Sequence, residues 1–196
     1  VDETHTICAG PGGCTKLWSI DPDFVVIGKT IGGGIPVGAY GMTAEIARKL
    51  EQEMSGHDVD VSGVGGTLSG SALAMSAMKA TLSHALQEHD FAKTIPLATR
   101  WTQGVQNACD KKHLDWHVQQ LGCRAEYWFG PPPSNGAEAA ASVHPELEAY
   151  LHLAALNRGI LLTPFHNMAL FSVFHTMEHV HAHTKIFREC ISAIVS

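Results

Sequence analysis

No apolar run in this chain approaches the roughly 20 residues that a helix needs to cross a bilayer. The opening Val1-Asp2-Glu3-Thr4-His5 has neither the basic nor the apolar part of an export signal. No Lys or Arg cluster offsets the formal charge of -6, so no grip on nucleic acid or on an anionic membrane is expected. Cysteine is sparse, odd in number and scattered. Cys8, Cys14, Cys109, Cys123 and Cys190 suit the reduced thiols of a cytoplasm better than a disulfide framework, and a cytoplasmic location is the expectation. Internal repeats and an initiator Met are absent, and the chain reads like the middle of a longer protein. With 196 residues, 45% hydrophobic and 16% charged, it can bury the core of one large or two small globular domains.

Up to about residue 70 the chain is strand-and-glycine territory. Apolar runs at Phe24–Ile27 and Ile35–Tyr40 predict strands, and their short, continuous character predicts a sheet covered on both faces. Ala44–Glu53 has helical spacing behind a plausible start at Thr43. Ser71 to about Glu88, rich in Ala, Leu and Met, predicts one long helix in close packing, and Phe91–Lys111 a second. Strands are expected at Trp116–Leu121 and Arg124–Phe129, ended by Gly130-Pro131-Pro132-Pro133, followed by a loop through Ser134-Asn135-Gly136. A helix at Pro145–Asn157 closing on Gly159, strands at Ile160–Thr163 and Ala169–Val173, and a last helix at Met177–Ile194 complete the pattern. The alternation implies α/β, with a boundary near residue 90 and a smaller α+β unit behind it.

Lys29, at the end of the apolar run Phe24–Ile27, is the residue most in need of explanation, since burying a cation there is costly. Desolvation lowers a lysine's pKa and frees its amine to attack a carbonyl; alone, it reads equally as a lysine leaving a strand into solvent. Asp2-Glu3 lies upstream, on what would be a strand feeding the same sheet end. A carboxylate there suits a pyridoxal phosphate site, where it keeps the ring nitrogen protonated. By itself it is also a surface acid at a frayed terminus. Gly63-Val64-Gly65-Gly66-Thr67-Leu68-Ser69-Gly70, directly before the long helix, offers backbone approach, hydroxyl donors and a helix start to a phosphate, or an ordinary capped helix entry.

Together Asp2-Glu3, then Asp23-Phe24-Val25-Val26-Ile27-Gly28-Lys29 with Gly32-Gly33-Gly34-Ile35-Pro36-Val37-Gly38-Ala39-Tyr40-Gly41, then Gly66-Thr67-Leu68-Ser69-Gly70, resemble the class III pyridoxal-phosphate aminotransferases, in particular the glutamate-1-semialdehyde aminomutase-like branch. Weaker likeness continues through Asn157-Arg158-Gly159-Ile160-Leu161-Leu162-Thr163-Pro164 and Phe174-His175-Thr176. The resemblance implies a fold type I α/β transferase, with residues 1–90 as the C-terminal part of the cofactor-binding large domain, including the long connecting helix, and 91–196 as a small α+β domain. It implies pyridoxal 5'-phosphate held by Lys29 as a Schiff base, Asp2 on the pyridine nitrogen, and Thr67 reaching the cofactor phosphate of the neighbouring subunit in a homodimer. A small-molecule amino donor and a carbonyl acceptor are the implied partners. An aminomutase, or a catalytically incomplete fragment, would carry the same motifs.

Three departures stand out: Thr4 replaces the family's apolar residue that packs on the ring, Ser71-Ala72 replaces Asn-Pro, and the family's first half, with its Gly-rich phosphate cup and stacking aromatic, has no counterpart.

Rival motifs are weaker. Gly28-Lys29-Thr30 mimics the end of a P-loop, but Asp23 stands where that motif needs Gly, and no Gly-x-Gly-x-x-Gly fingerprint of a dinucleotide fold is found. His175, His179 and His183 share a helix face at i,i+4 spacing and read either as metal ligands or as a solvated face; His5, Cys8 and Cys14 form a weaker zinc candidate, and no metal is expected. Arg124 suits either a substrate carboxylate or a bridge to a nearby acid such as Glu126.

Overall fold

The computed structural model describes residues 1–55, 65–163 and 166–195; Gly63 and Val64 of the Gly-rich segment and Pro164 lie outside these. The chain divides into two compact units, Val1–Glu88 and His89–Ser196.

In the first unit, β1 (Phe24–Gly28) pairs antiparallel with β2 (Gly38–Met42), Val26 opposite Tyr40. On the other edge of β1 runs the extended Val1–Glu3, in a parallel bridge between Asp2 and Val26. The sheet is not covered on both faces as expected. Val25 and Ile27 turn inward while Phe24 and Val26 keep 43% and 40% exposure, the alternation of a strand with one buried face. β2 starts later than its apolar run because Pro36 has no N–H to give and the Ile35 N–H turns back to the Gly32 carbonyl at 3.0 Å.

Helix α1 (Gly13–Leu17) precedes β1. Helix α2 (Ala44–Met54) begins where its cap predicted, the Thr43 hydroxyl accepting the Ile46 N–H at 3.4 Å. Helix α3 (Ala72–His84) stops short of Glu88. The Ala85 and Leu86 N–H groups both fold back onto the Thr81 carbonyl at 2.9 and 3.2 Å, and the Gln87 side-chain amide takes the Leu82 carbonyl, which satisfies the open carbonyl end. The close packing expected of α3 shows at Thr81, which leaves no room for a Cβ on Gly33, although among the described residues none of the helix is buried.

The second unit has a single core. Helix α4 (Glu88–Lys111) supplies Trp101 and Val105, the antiparallel sheet β3 (His117–Leu121), β4 (Arg124–Trp128) and β5 (Met168–Leu170) supplies Val118, Ala125 and Tyr127, and helices α6 (Pro145–Leu156) and α7 (Met177–Ile194) supply Leu151, Phe187 and Ile191. The Tyr127 ring stacks on Trp116 and tilts against Phe187. A short helix, α5 (Gly136–Ala141), forms where only a loop was expected, because the Asn135 side chain accepts the Glu138 N–H at 3.0 Å. The strand expected at Ile160–Thr163 does not form. The Ile160 N–H is spent on the Ala155 carbonyl in closing α6, and Leu161 points out at 80% exposure.

Candidate active site

Asp2 and Lys29 come from neighbouring segments. The Val26 N–H donates to the Val1 carbonyl at 2.9 Å and the Glu3 N–H to the Val26 carbonyl at 2.7 Å, so Asp2 is locked in register on β1 shortly before β1 ends at Gly28. One oxygen of the Asp2 carboxylate accepts the Thr4 N–H at 2.8 Å. That amide and the Thr4 hydroxyl hold the carboxyl below the usual carboxylate range, and the charges of Lys29 and His5 pull the same way. Thr4, the departure from the family pattern, thus serves Asp2, while its methyl lies where a side chain on Gly28 would go.

Lys29 opens a 3-10 turn, Lys29–Gly32, that buries Ile31 completely and leaves Lys29 itself exposed. The expectation that Lys29 is buried is therefore not met in this chain. Its φ of 52° lies in the left-handed region, which costs a non-glycine residue on the order of 1 kcal/mol. The next turn packs against α3 through Gly33, where a Cβ would meet the Thr81 hydroxyl at 2.6 Å.

Thr67 lies in an exposed turn, closed by Ser69 N–H to the Gly66 carbonyl at 2.9 Å and Ser71 N–H to the Leu68 carbonyl at 3.2 Å. It leads into α3, whose capping residue Ser71 makes no side-chain capping bond. Asp2 and Lys29 are near enough for the lysine's charge to act on the carboxyl, and Thr67 belongs to a separate turn, the one ahead of α3.

Sequence reasoning gave no role to Glu3. It is 2% exposed, and its carboxylate accepts the Thr6 hydroxyl, the Cys14 N–H at 3.1 Å, and both the N–H and the hydroxyl of Thr15. Burial pushes its pKa up, but the bonds from Thr15, Thr6 and Cys14 outweigh it and hold the carboxyl below its ordinary value. The available signal was Gly12-Gly13, since Gly13 adopts φ +62° and a Cβ there would run into this carboxylate.

The other candidates have structural occupations. Arg124 pairs with Glu126 at 2.8 Å, both largely buried, and Glu126 also faces His166 at 3.4 Å. His175 accepts the Ser172 N–H at 2.9 Å, and His179 the Thr176 N–H at 3.2 Å, in the capping box that starts α7. His183 is not on a solvated face. It is buried against Trp101, with ring centroids 5.1 Å apart, and burial lowers its pKa to about 4. These three histidines, with Trp101, Met168 and Phe171, line a cavity of about 320 Å³ in the second unit, which contains none of the residues predicted for catalysis. Among the described residues no group of three or more His, Cys, Asp or Glu is placed to hold a metal, and no helix is long and apolar enough to cross a membrane.

The residues present fit pyridoxal phosphate: an ionised carboxylate beside an exposed amine on a strained turn, and a hydroxyl-bearing glycine turn ahead of a helix. The fold is that of the pyridoxal-phosphate-dependent aminotransferases. It superimposes with a TM-score of 0.94 on a glutamate-1-semialdehyde-aminomutase from Pseudomonas aeruginosa PAO1, 40% identical, covering 98% of this chain and 44% of that one. It also matches an omega-transaminase from Sphaerobacter thermophilus with a TM-score of 0.76 at 24% identity, over 97% of this chain and 43% of that one, a likeness of fold alone. A glutamate-1-semialdehyde 2,1-aminomutase from Thermomicrobium roseum is 31% identical over 186 residues, 94% of this chain and 42% of the relative. The model of the class III aminotransferase family matches residues 1–195, and the chain belongs to that family. It spans less than half the length of these relatives.

Proposed function

We propose that the protein is a pyridoxal 5'-phosphate-dependent aminotransferase, moving an amino group from a small-molecule amino donor to a carbonyl acceptor. The observation that carries this reading is that the Asp2 carboxyl, held low chiefly by Thr4 and within reach of the Lys29 charge, rides on a segment bridged to the strand that runs into Lys29. When bound, the cofactor supplies an electron-poor ring that takes up the electron pair released as a substrate Cα–H bond breaks. Lys29 is the residue that would hold it, through Nζ, and the same amine, when free, would take and hold the proton of the substrate Cα. Asp2 would keep the ring nitrogen protonated. The Thr67 hydroxyl, exposed in its glycine turn, would donate to the phosphate of the cofactor bound by the neighbouring subunit of a homodimer. In this reading residues 1–90 belong to the cofactor-binding large domain, residues 91–196 form the small domain, and the enzyme works in the cytoplasm.

An aminomutase of the glutamate-1-semialdehyde type uses the same residues, and the relatives at 31% and 40% identity bearing that name favour it. Turnover separates the two: an aminomutase returns an isomer of one substrate without a second carbonyl acceptor. The shared reading is tested by adding pyridoxal 5'-phosphate, reducing with borohydride and mapping the adduct by mass spectrometry. Attachment at Lys29, lost in Lys29→Ala, is expected. A chain that takes no adduct at Lys29 overturns the reading and leaves a catalytically incomplete fragment.

A further inference from the structure

Asp2 is exposed, and an exposed carboxylate is held in one orientation only if its surroundings are rigid. The element that orients it is the turn after it, whose Thr4 N–H donates to the Asp2 carboxylate at 2.8 Å. Just beyond, the Thr6 hydroxyl bridges the Glu3 carboxylate and the Asp2 carbonyl, the latter at 3.4 Å, and the Ile7 N–H closes on the Glu3 carbonyl at 3.0 Å. The Glu3 oxygen that Thr6 uses also accepts the Cys14 N–H, and the other oxygen holds Thr15, both at the start of α1. One buried side chain thus ties the turn that carries Thr4 to the helix that follows it.

We propose that Glu3 is a positioning residue of the active site: by gripping Thr6, Cys14 and Thr15, its buried carboxylate holds the turn whose Thr4 amide orients Asp2 beside Lys29. Its value for catalysis rests on the reading of Asp2 as the partner of the ring nitrogen; its action on Asp2 does not. A charged acceptor is needed, because it takes four bonds from an almost dry position, and hydrogen bonds to a carboxylate are about twice as strong as those between neutral groups.

The test is a carbon-13 NMR titration of the Asp2 carboxyl in the full 196-residue chain without cofactor, comparing the parent with Glu3→Gln and Thr6→Val, with circular dichroism to follow folding. Loosening the turn should raise the Asp2 midpoint by roughly half a pH unit or more in Glu3→Gln and by a smaller, measurable amount in Thr6→Val. Glu138 in the second unit, held low by Ser134, should keep its midpoint in all three. A purely structural role would lower stability and leave Asp2 alone. Thr6→Val decides if Glu3→Gln fails to fold, and an Asp2 midpoint in Thr6→Val equal to the parent's overturns the proposal. If Asp2 shifts as expected and Lys29 takes no cofactor adduct, the clamp stands and the enzymatic reading falls.

Discussion

Asp2 is bound in parallel to Val26, so its placement against the strand that runs into Lys29 depends on a single backbone register. Two bonds hold that register, the Val26 N–H to Val1 and the Glu3 N–H to Val26, and proline at 26 would delete the first. Val26→Pro is expected to cost about 2–3 kcal/mol and to release Asp2, whereas Val26→Thr, which keeps the donor and the β-branched shape, should cost less than about 1 kcal/mol. Urea unfolding of the two variants checks the difference.

Lys29 is exposed and sits at φ 52°, so its side chain contributes little to the fold. Lys29→Ala should change stability by no more than about 0.5 kcal/mol while abolishing the borohydride-trapped adduct. Lys29→Gly should be more stable than Lys29→Ala by about 1 kcal/mol, because glycine accepts the left-handed backbone without penalty. Thermal melting of the pair measures how much strain the turn holds.

Gly13 and Gly159 both have positive φ, at +62° and +87°, but only Gly13 faces an obstacle, the Glu3 carboxylate; nothing lies within 4 Å of a Cβ at Gly159. Gly159→Ala should therefore cost about 1 kcal/mol in backbone strain alone, and Gly13→Ala distinctly more, since it also dislodges a buried charge from its four donors. Denaturant midpoints of the two variants test this order.

His183, with its pKa lowered by burial from 6.5 to about 4, makes stability depend on pH. The unfolded chain takes up the proton near its ordinary value and the folded chain only near 4. The contribution is therefore complete above about pH 6.5 and is lost as pH falls through the window toward 4, by on the order of 3 kcal/mol at most. His183→Leu should flatten the stability profile over that window, as followed by unfolding at stepped pH. A slope unchanged by the substitution would assign the acid sensitivity elsewhere.

Much of the local structure was legible because its cause is local. Thr43 announces α2 by capping, and helical spacing gave both α2 and α7 close to their observed bounds. The strands β3 and β4 form close to the expected Trp116–Leu121 and Arg124–Phe129 and pair across Gly122. What escaped depended on partners far along the chain. Glu3 looked like a companion of Asp2, yet its carboxylate is spoken for by Thr6, Cys14 and Thr15, which share no period with it. His183 has the spacing of a solvated face and was turned inward by the packing of α7 on Trp101. Ile160–Thr163 has the composition of a strand, but the first available N–H was taken by the end of α6.

The order of residues alone determined most of the elements, the membership of a family and the chemical types at positions 2, 29 and 67, because caps, periodicity and motifs act within a few residues. Only the tertiary structure decided that Asp2 is ionised beside Lys29, that Lys29 stays in solvent, and that Glu3 and His183 are buried. Those outcomes depend on which distant groups share a volume and how much water is left between them, which no local spacing encodes.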